Sequence, residues 1–212
     1  NLLYLGKPFK DKSIENWVNE LCFNTTLDYS HKEFHDWIQD YRNKKNFSIF
    51  LSHEGFLMPS AQDLKITCER LQKVFGSCHI ILTLRNQWDI ISGYYYLAGR
   101  KGRQLFVNGI PSLPSFPLSV NKWVEYSLMH KTDPLNFHHI SLLAYLDFHK
   151  VIKFLKSAFG HENVSVFLFE NFKAEKKLFL NQFKALLGCE FFAKDFEKKH
   201  DNKTIYDEFI VK

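Results

Sequence analysis

Along the first third of the chain, apolar residues recur at helical spacing. Ile14, Trp17, Val18 and Leu21 share one face of a helix running to about residue 23, with Ser13 placed to cap its start. Phe34, Trp37, Ile38 and Tyr41 stand at i, i+3, i+4 and i+7 and predict a second helix, closed by Lys44 and Lys45 where the helix dipole favours cations. The period then changes. Residues 47–52 (FSIFLS) are short, aromatic and partly β-branched, and predict a buried strand ending at Ser52-His53-Glu54-Gly55. A helix from about 60 comes next, with Leu64, Cys68, Leu71 and Phe75 on one stripe and Gly76 as its stop. Residues 79–84 (HIILTL) predict a second strand that ends at Arg85, and 87–97 another helix.

From 99 to 117 the chain holds three Gly and three Pro, which predicts a long connection. Ser119 then caps a helix carrying Trp123, Tyr126 and Leu128, and Asp133-Pro134 breaks it. A helix stopping at Gly160 leads into a third strand, 164–169 (VSVFLF), then Glu170 and a helix of about 175–187 that stops at Gly188. The charged stretch beyond Cys189 has no assignable pattern.

Three short, nearly all-apolar strands alternating with helices predict an α/β fold, a short parallel sheet covered by helices on both faces in three layers. Ligands of such sheets sit beyond the carboxyl ends of the strands, which directs attention to Ser52-His53-Glu54, Arg85-Asn86 and Glu170-Asn171.

Composition narrows the classes. At 212 residues, with 45% apolar and 17% aromatic content, the chain suits one folded domain and not a disordered segment. Runs such as Ile80-Ile81-Leu82 are far too short to span a bilayer, and the first residues show no signal-peptide pattern, so a soluble protein is expected. A net charge of +5 mildly favours an anionic ligand without marking a nucleic-acid surface. Cys22, Cys68, Cys78 and Cys189 form no close pair, which argues against a zinc site or a disulfide framework and for reduced thiols in the cytoplasm. His31 and His35, at i and i+4, read as a polar helix face rather than a chelate, and no metal is expected.

Three segments read together resemble the sulfotransferases that use 3'-phosphoadenosine 5'-phosphosulfate. Residues 79–97 (HIILTLRNQWDIISGYYYL) resemble the family's strand, Arg and helix with a Ser, in which Arg and Ser hold the nucleotide 3'-phosphate. The resemblance implies that role for Arg85, with Ser92 or Gly93 at the Ser position: the family's Ser stands eight residues after the Arg, where this chain has Gly93, and Ser92 stands seven after. Residues 159–188 resemble the late strand, acidic residue and helix, placing Glu170 at the acidic position as an ordering residue. Residues 47–59 (FSIFLSHEGFLMP) resemble the strand whose end carries the catalytic base, which makes His53 and Glu54 the candidates. Residues 1–9 (NLLYLGKPF) are similar to the segment after the first helix in small bacterial members.

The resemblance implies a sulfotransferase fold related to the P-loop nucleotide hydrolases, a single domain over 1–212, and transfer of a sulfuryl group to a hydroxyl or amine acceptor. The family's Lys-Ser/Thr-Gly-Thr-Thr loop, whose backbone N–H groups cradle the 5'-phosphosulfate, has no counterpart run here. The first strand and this loop are therefore expected before Asn1, leaving the domain incomplete at its N-terminus and its activity impaired. The Arg-Lys-Gly stretch that family members carry near the C-terminus is matched only by Arg100-Lys101-Gly102-Arg103, mid-chain, which reads as a solvated basic loop. Two alternatives remain open, an inert relative that keeps the nucleotide pocket and another P-loop enzyme such as a small-molecule kinase.

Overall fold

The computed structural model describes residues 2–6, 9, 11–24, 29–44, 48–57, 63–100, 121–122, 124–125 and 146–188, and within them all side chains except those of 2, 44, 54 and 94–100. Strand β1 (Leu2–Gly6) is followed by helices α1 (Lys12–Phe23) and α2 (Lys32–Lys44), strand β2 (Ser48–Ser52), a 3-10 turn (Glu54–Leu57) and α3 (Leu64–Phe75). Strand β3 (Ile80–Leu84) leads to α4 (Gln87–Arg100), and α5 (Phe148–Phe159) to β4 (Val164–Leu168), α6 (Phe169–Ala174) and α7 (Lys176–Leu187). Residues 121, 122, 124 and 125 are helical. The rest of the helix expected from Ser119, most of the connection 99–117 and the tail beyond 188 lie outside the described residues.

All pairing is parallel. β1 lies beside β2, Leu2 opposite Ser48 through Gly6 opposite Ser52, and β3 beside β4, Ile80 opposite Val164 through Leu84 opposite Leu168. Parallel neighbours require helical crossovers, so the mixed α/β class follows from the pairing itself. Two corrections to the sequence reading come with it. The strands form two separate pairs among the described residues, not one short sheet, because apolar runs indicate burial but not which strands adjoin. A strand also occupies Leu2–Gly6, where none was expected; five residues with Leu2, Leu3 and Leu5 are too few for periodicity to reveal.

Two apolar clusters fill the first compact unit, which ends at Glu170. One gathers Leu5, Ile14, Val18, Leu21, Cys22, Phe34, Ile38, Val74 and Phe75; the other gathers Cys68, Leu82, Leu84, Val151, Leu155 and Val164. α3 serves both, Cys68 entering the second cluster and Phe75 the first, so the stripe read from its sequence packs against two different partners. Helix ends are closed by side chains. Asp11, not Ser13, caps α1 by accepting from Ser13 N at 2.7 Å, and Asp63 caps α3 from Lys65 N at 2.7 Å. At the other end of α1, Arg70 of α3, only 3% exposed, donates to the carbonyls of Glu20, Leu21 and Asn24 at 3.2, 3.0 and 2.8 Å. Its guanidinium also lies 4.1 Å from the centre of the Tyr29 ring. Arg42 of α2 donates likewise to Phe75 O, at the end of α3, at 3.0 Å.

The second compact unit begins at Asn171. In it Phe172 meets Phe179 edge-on at 5.3 Å, Phe179 stacks on Phe183 at 6.2 Å, and α7 stops at left-handed Gly188. The strand expected to reach 169 ends at Leu168, since Phe169 already turns into α6. Among the described residues no helix is long and apolar enough to cross a membrane.

Candidate functional site

The carboxyl end of the β3–β4 pair is built from residues adjoining both strands. Arg85 follows β3 directly, and Asn86 caps α4, its Oδ1 accepting from Trp88 N at 2.9 Å. Across the pair, Glu170 stands two residues past β4, and its Oε1 accepts from Asn86 N at 2.8 Å. That bond ties the end of β4 to the turn carrying Arg85, the ordering role that sequence reading gave Glu170. The Arg85 side chain is 40% exposed. Its Nε and Nη2 both donate to Asp89 Oδ2 at 3.3 Å, and its guanidinium carbon lies 5.7 Å from the centre of the Phe169 ring.

Ser92 and Gly93 are half-buried on α4, three and four residues beyond Asp89, and so on its stripe of the helix. Among the described residues, Arg85 takes its polar partner from Asp89 rather than from either of them. Asp89 was missed by the sequence reading, although its spacing of four from Arg85 was there to be read. Phe169 was missed because it was assigned to the strand.

The end of β2 is different in kind. His53 follows the strand, and its Nδ1 accepts from Gly55 N at 3.0 Å across the 3-10 turn. Cys22 Sγ lies 3.6 Å from the same nitrogen. An Nδ1 that accepts a backbone N–H carries no proton itself, so the neutral ring is the Nε2–H tautomer. Nε2 is buried, and Phe9, Phe23 and Phe56 stand around the ring with centroids 6.0, 6.1 and 6.0 Å away. The ring, partly buried, closes a turn inside an aromatic setting. The backbone of Glu54 begins the 3-10 turn, and its side chain lies outside the described residues. His53 belongs to one strand pair and Arg85 to the other.

On α2, His35 faces Asp36 at 3.4 Å and Gln39 at 3.5 Å, a polar helix face. Among the described residues, no group of three or more His, Cys, Asp or Glu side chains is gathered as a metal site.

No family model and no curated protein matches the chain. Among solved structures it is similar to a sulfotransferase from Alicyclobacillus acidocaldarius, at 23% identity and a TM-score of 0.45, over 68% of this chain and 51% of that one. The chain thus spans about half the length of that protein, and the likeness is too slight to carry an argument about fold or chemistry.

Proposed function

We propose that the chain is a nucleotide-dependent sulfotransferase-like domain that takes 3'-phosphoadenosine 5'-phosphosulfate as co-substrate and passes its sulfuryl group to a hydroxyl or amine acceptor. One observation carries the reading: Arg85, inside the segment 79–97 that resembles the family's phosphate-holding strand and helix, stands half open to water at the carboxyl end of a parallel strand pair. A guanidinium there supplies charge-assisted donors for a phosphate dianion. Ser92, on the Asp89 stripe, is the hydroxyl we assign to share the phosphate, in preference to Gly93, which has no side chain to offer.

Sulfuryl transfer needs one base to take the acceptor proton. His53 is poorly suited, because its Nδ1 is engaged by Gly55 N and its Nε2 is buried. We therefore assign the base to Glu54. The resemblance put the phosphate loop before Asn1, but β1 and α1 themselves form a strand, connection and helix of the kind that holds one, and we place it instead at that connection, which reads Lys7-Pro8-Phe9-Lys10-Asp11. Lacking the Gly-Thr-Thr backbone cradle, it leaves turnover slow. That same connection favours a second reading, an inert relative that keeps only the nucleotide site. Cys22 and Cys68 are buried as thiols, in keeping with a reducing compartment such as the cytoplasm.

The test is transfer of a radiolabelled sulfuryl group from the nucleotide to water or to a panel of phenols, sugars and amines. The expected result is slow turnover that falls roughly a hundredfold in Glu54→Gln. It persists in His53→Asn, whose amide oxygen can still accept from Gly55 N. Full turnover in Glu54→Gln would remove the base assignment. Absent turnover with retained nucleotide binding selects the inert relative, and absent binding overturns both readings.

A further inference from the structure

Resting on the nucleotide reading above, we propose that Asp89 is a specificity-determining residue: a built-in counter-anion that a doubly charged phosphate must compete with for Arg85. The guanidinium presents two edges, and Asp89 occupies the one formed by Nε and Nη2, both donating to its Oδ2 at 3.3 Å. That edge has the parallel-donor geometry with which arginine grips carboxylate and phosphate alike. An incoming phosphate must displace Asp89 or take the remaining edge with a carboxylate alongside.

The surroundings sharpen the competition. Two of the N–H groups at the start of α4 are already taken, Asn86 N by Glu170 and Trp88 N by the Asn86 side chain. The carboxylate at the guanidinium is that of Asp89, while Glu170 sits on the backbone of the next residue, Asn86. Asp89 is 42% exposed, so water screens the repulsion without removing it. Its place in the first turn of α4 also lets it complement the helix dipole, so the carboxylate is stable there without a ligand. The consequence is selectivity by charge: the site holds Arg85 in place when empty and lowers affinity most for the most negative ligand.

The experiment measures affinity for adenosine 3',5'-bisphosphate and for adenosine 5'-monophosphate, which lacks the 3'-phosphate, in wild type, Asp89→Asn, Arg85→Ala and the double variant. Asp89→Asn keeps an oxygen that can accept from the guanidinium and removes the charge. The expected result is roughly three- to tenfold tighter bisphosphate binding with the monophosphate unchanged, and no such gain without Arg85. Asp89→Ser, suited to a first helical turn, replaces the Asn variant if circular dichroism shows that it does not fold. If Arg85→Ala weakens bisphosphate binding but neither Asp89 variant tightens it, or both nucleotides gain equally, this inference fails and the nucleotide site stands. If Arg85→Ala binds as wild type does, or no variant binds, both fail.

Discussion

Arg70 and Arg85 illustrate how environment decides the work of a side chain. Arg70 is 3% exposed and spends its N–H groups on three carbonyls, while burial pulls its pKa below the usual arginine value. Arg85 is 40% exposed and meets one carboxylate that a ligand can displace. The first is a structural clamp and the second an available cation. Burial also acts on neutral acids in and around the two apolar clusters. It pushes the Cys68 thiol up to about 12 and the Cys78 thiol to about 11, and Tyr29 to about 12 although Arg70 opposes the shift. Each raised value means that the folded chain holds its proton longer than the unfolded chain. Stability from these groups is fully present below about pH 9 and is lost as pH rises toward 12. Urea titrations should show the unfolding midpoint falling as pH rises from about 9 toward 12, the range these three groups span. A midpoint level over that interval would show that the buried groups ionise as freely as in the unfolded chain.

At the scale of elements, long amphipathic segments were legible and their ends less so. α2 and α3 follow from the spacing of Phe34, Trp37, Ile38 and of Cys68, Leu71, Phe75, because a stripe facing a core leaves a period of 3.6 in the sequence. The cap at Asp11 was misplaced to Ser13, two residues on, since either side chain can accept a first-turn N–H. α6 was not foreseen because six residues hold too few apolar positions to declare a face. Nor did any local pattern identify Arg70, whose partners lie some fifty positions away on α1. Replacing it tests that clamp. Arg70→Met removes the side-chain donor from three carbonyls at the end of α1, of which Glu20 O keeps the backbone N of Asn24, and should destabilise the chain by about 3 kcal/mol in denaturant titration. A loss under about 1 kcal/mol would mean that water or rearrangement satisfies those carbonyls.

For the whole molecule, near-continuous apolar strands correctly announced parallel pairing, although β2 holds no fully buried residue and Val166 and Leu168 of β4 are exposed. Which strands adjoin is not written in their composition, and the division into β1–β2 and β3–β4 came only from the structure. The candidate site divides in the same way. That Arg85 and Glu170 stand just after strands was legible, whereas the partial burial of His53 involves Phe9, Phe23 and Phe56. The central claim is that Arg85 grips a nucleotide phosphate at the end of β3. Calorimetric titration of wild type and Arg85→Ala with adenosine 3',5'-bisphosphate, with and without magnesium, tests it most directly. The account predicts binding indifferent to magnesium and weakened roughly ten- to a hundredfold by the substitution; equal affinity in the two proteins, or binding that requires the metal, would contradict it.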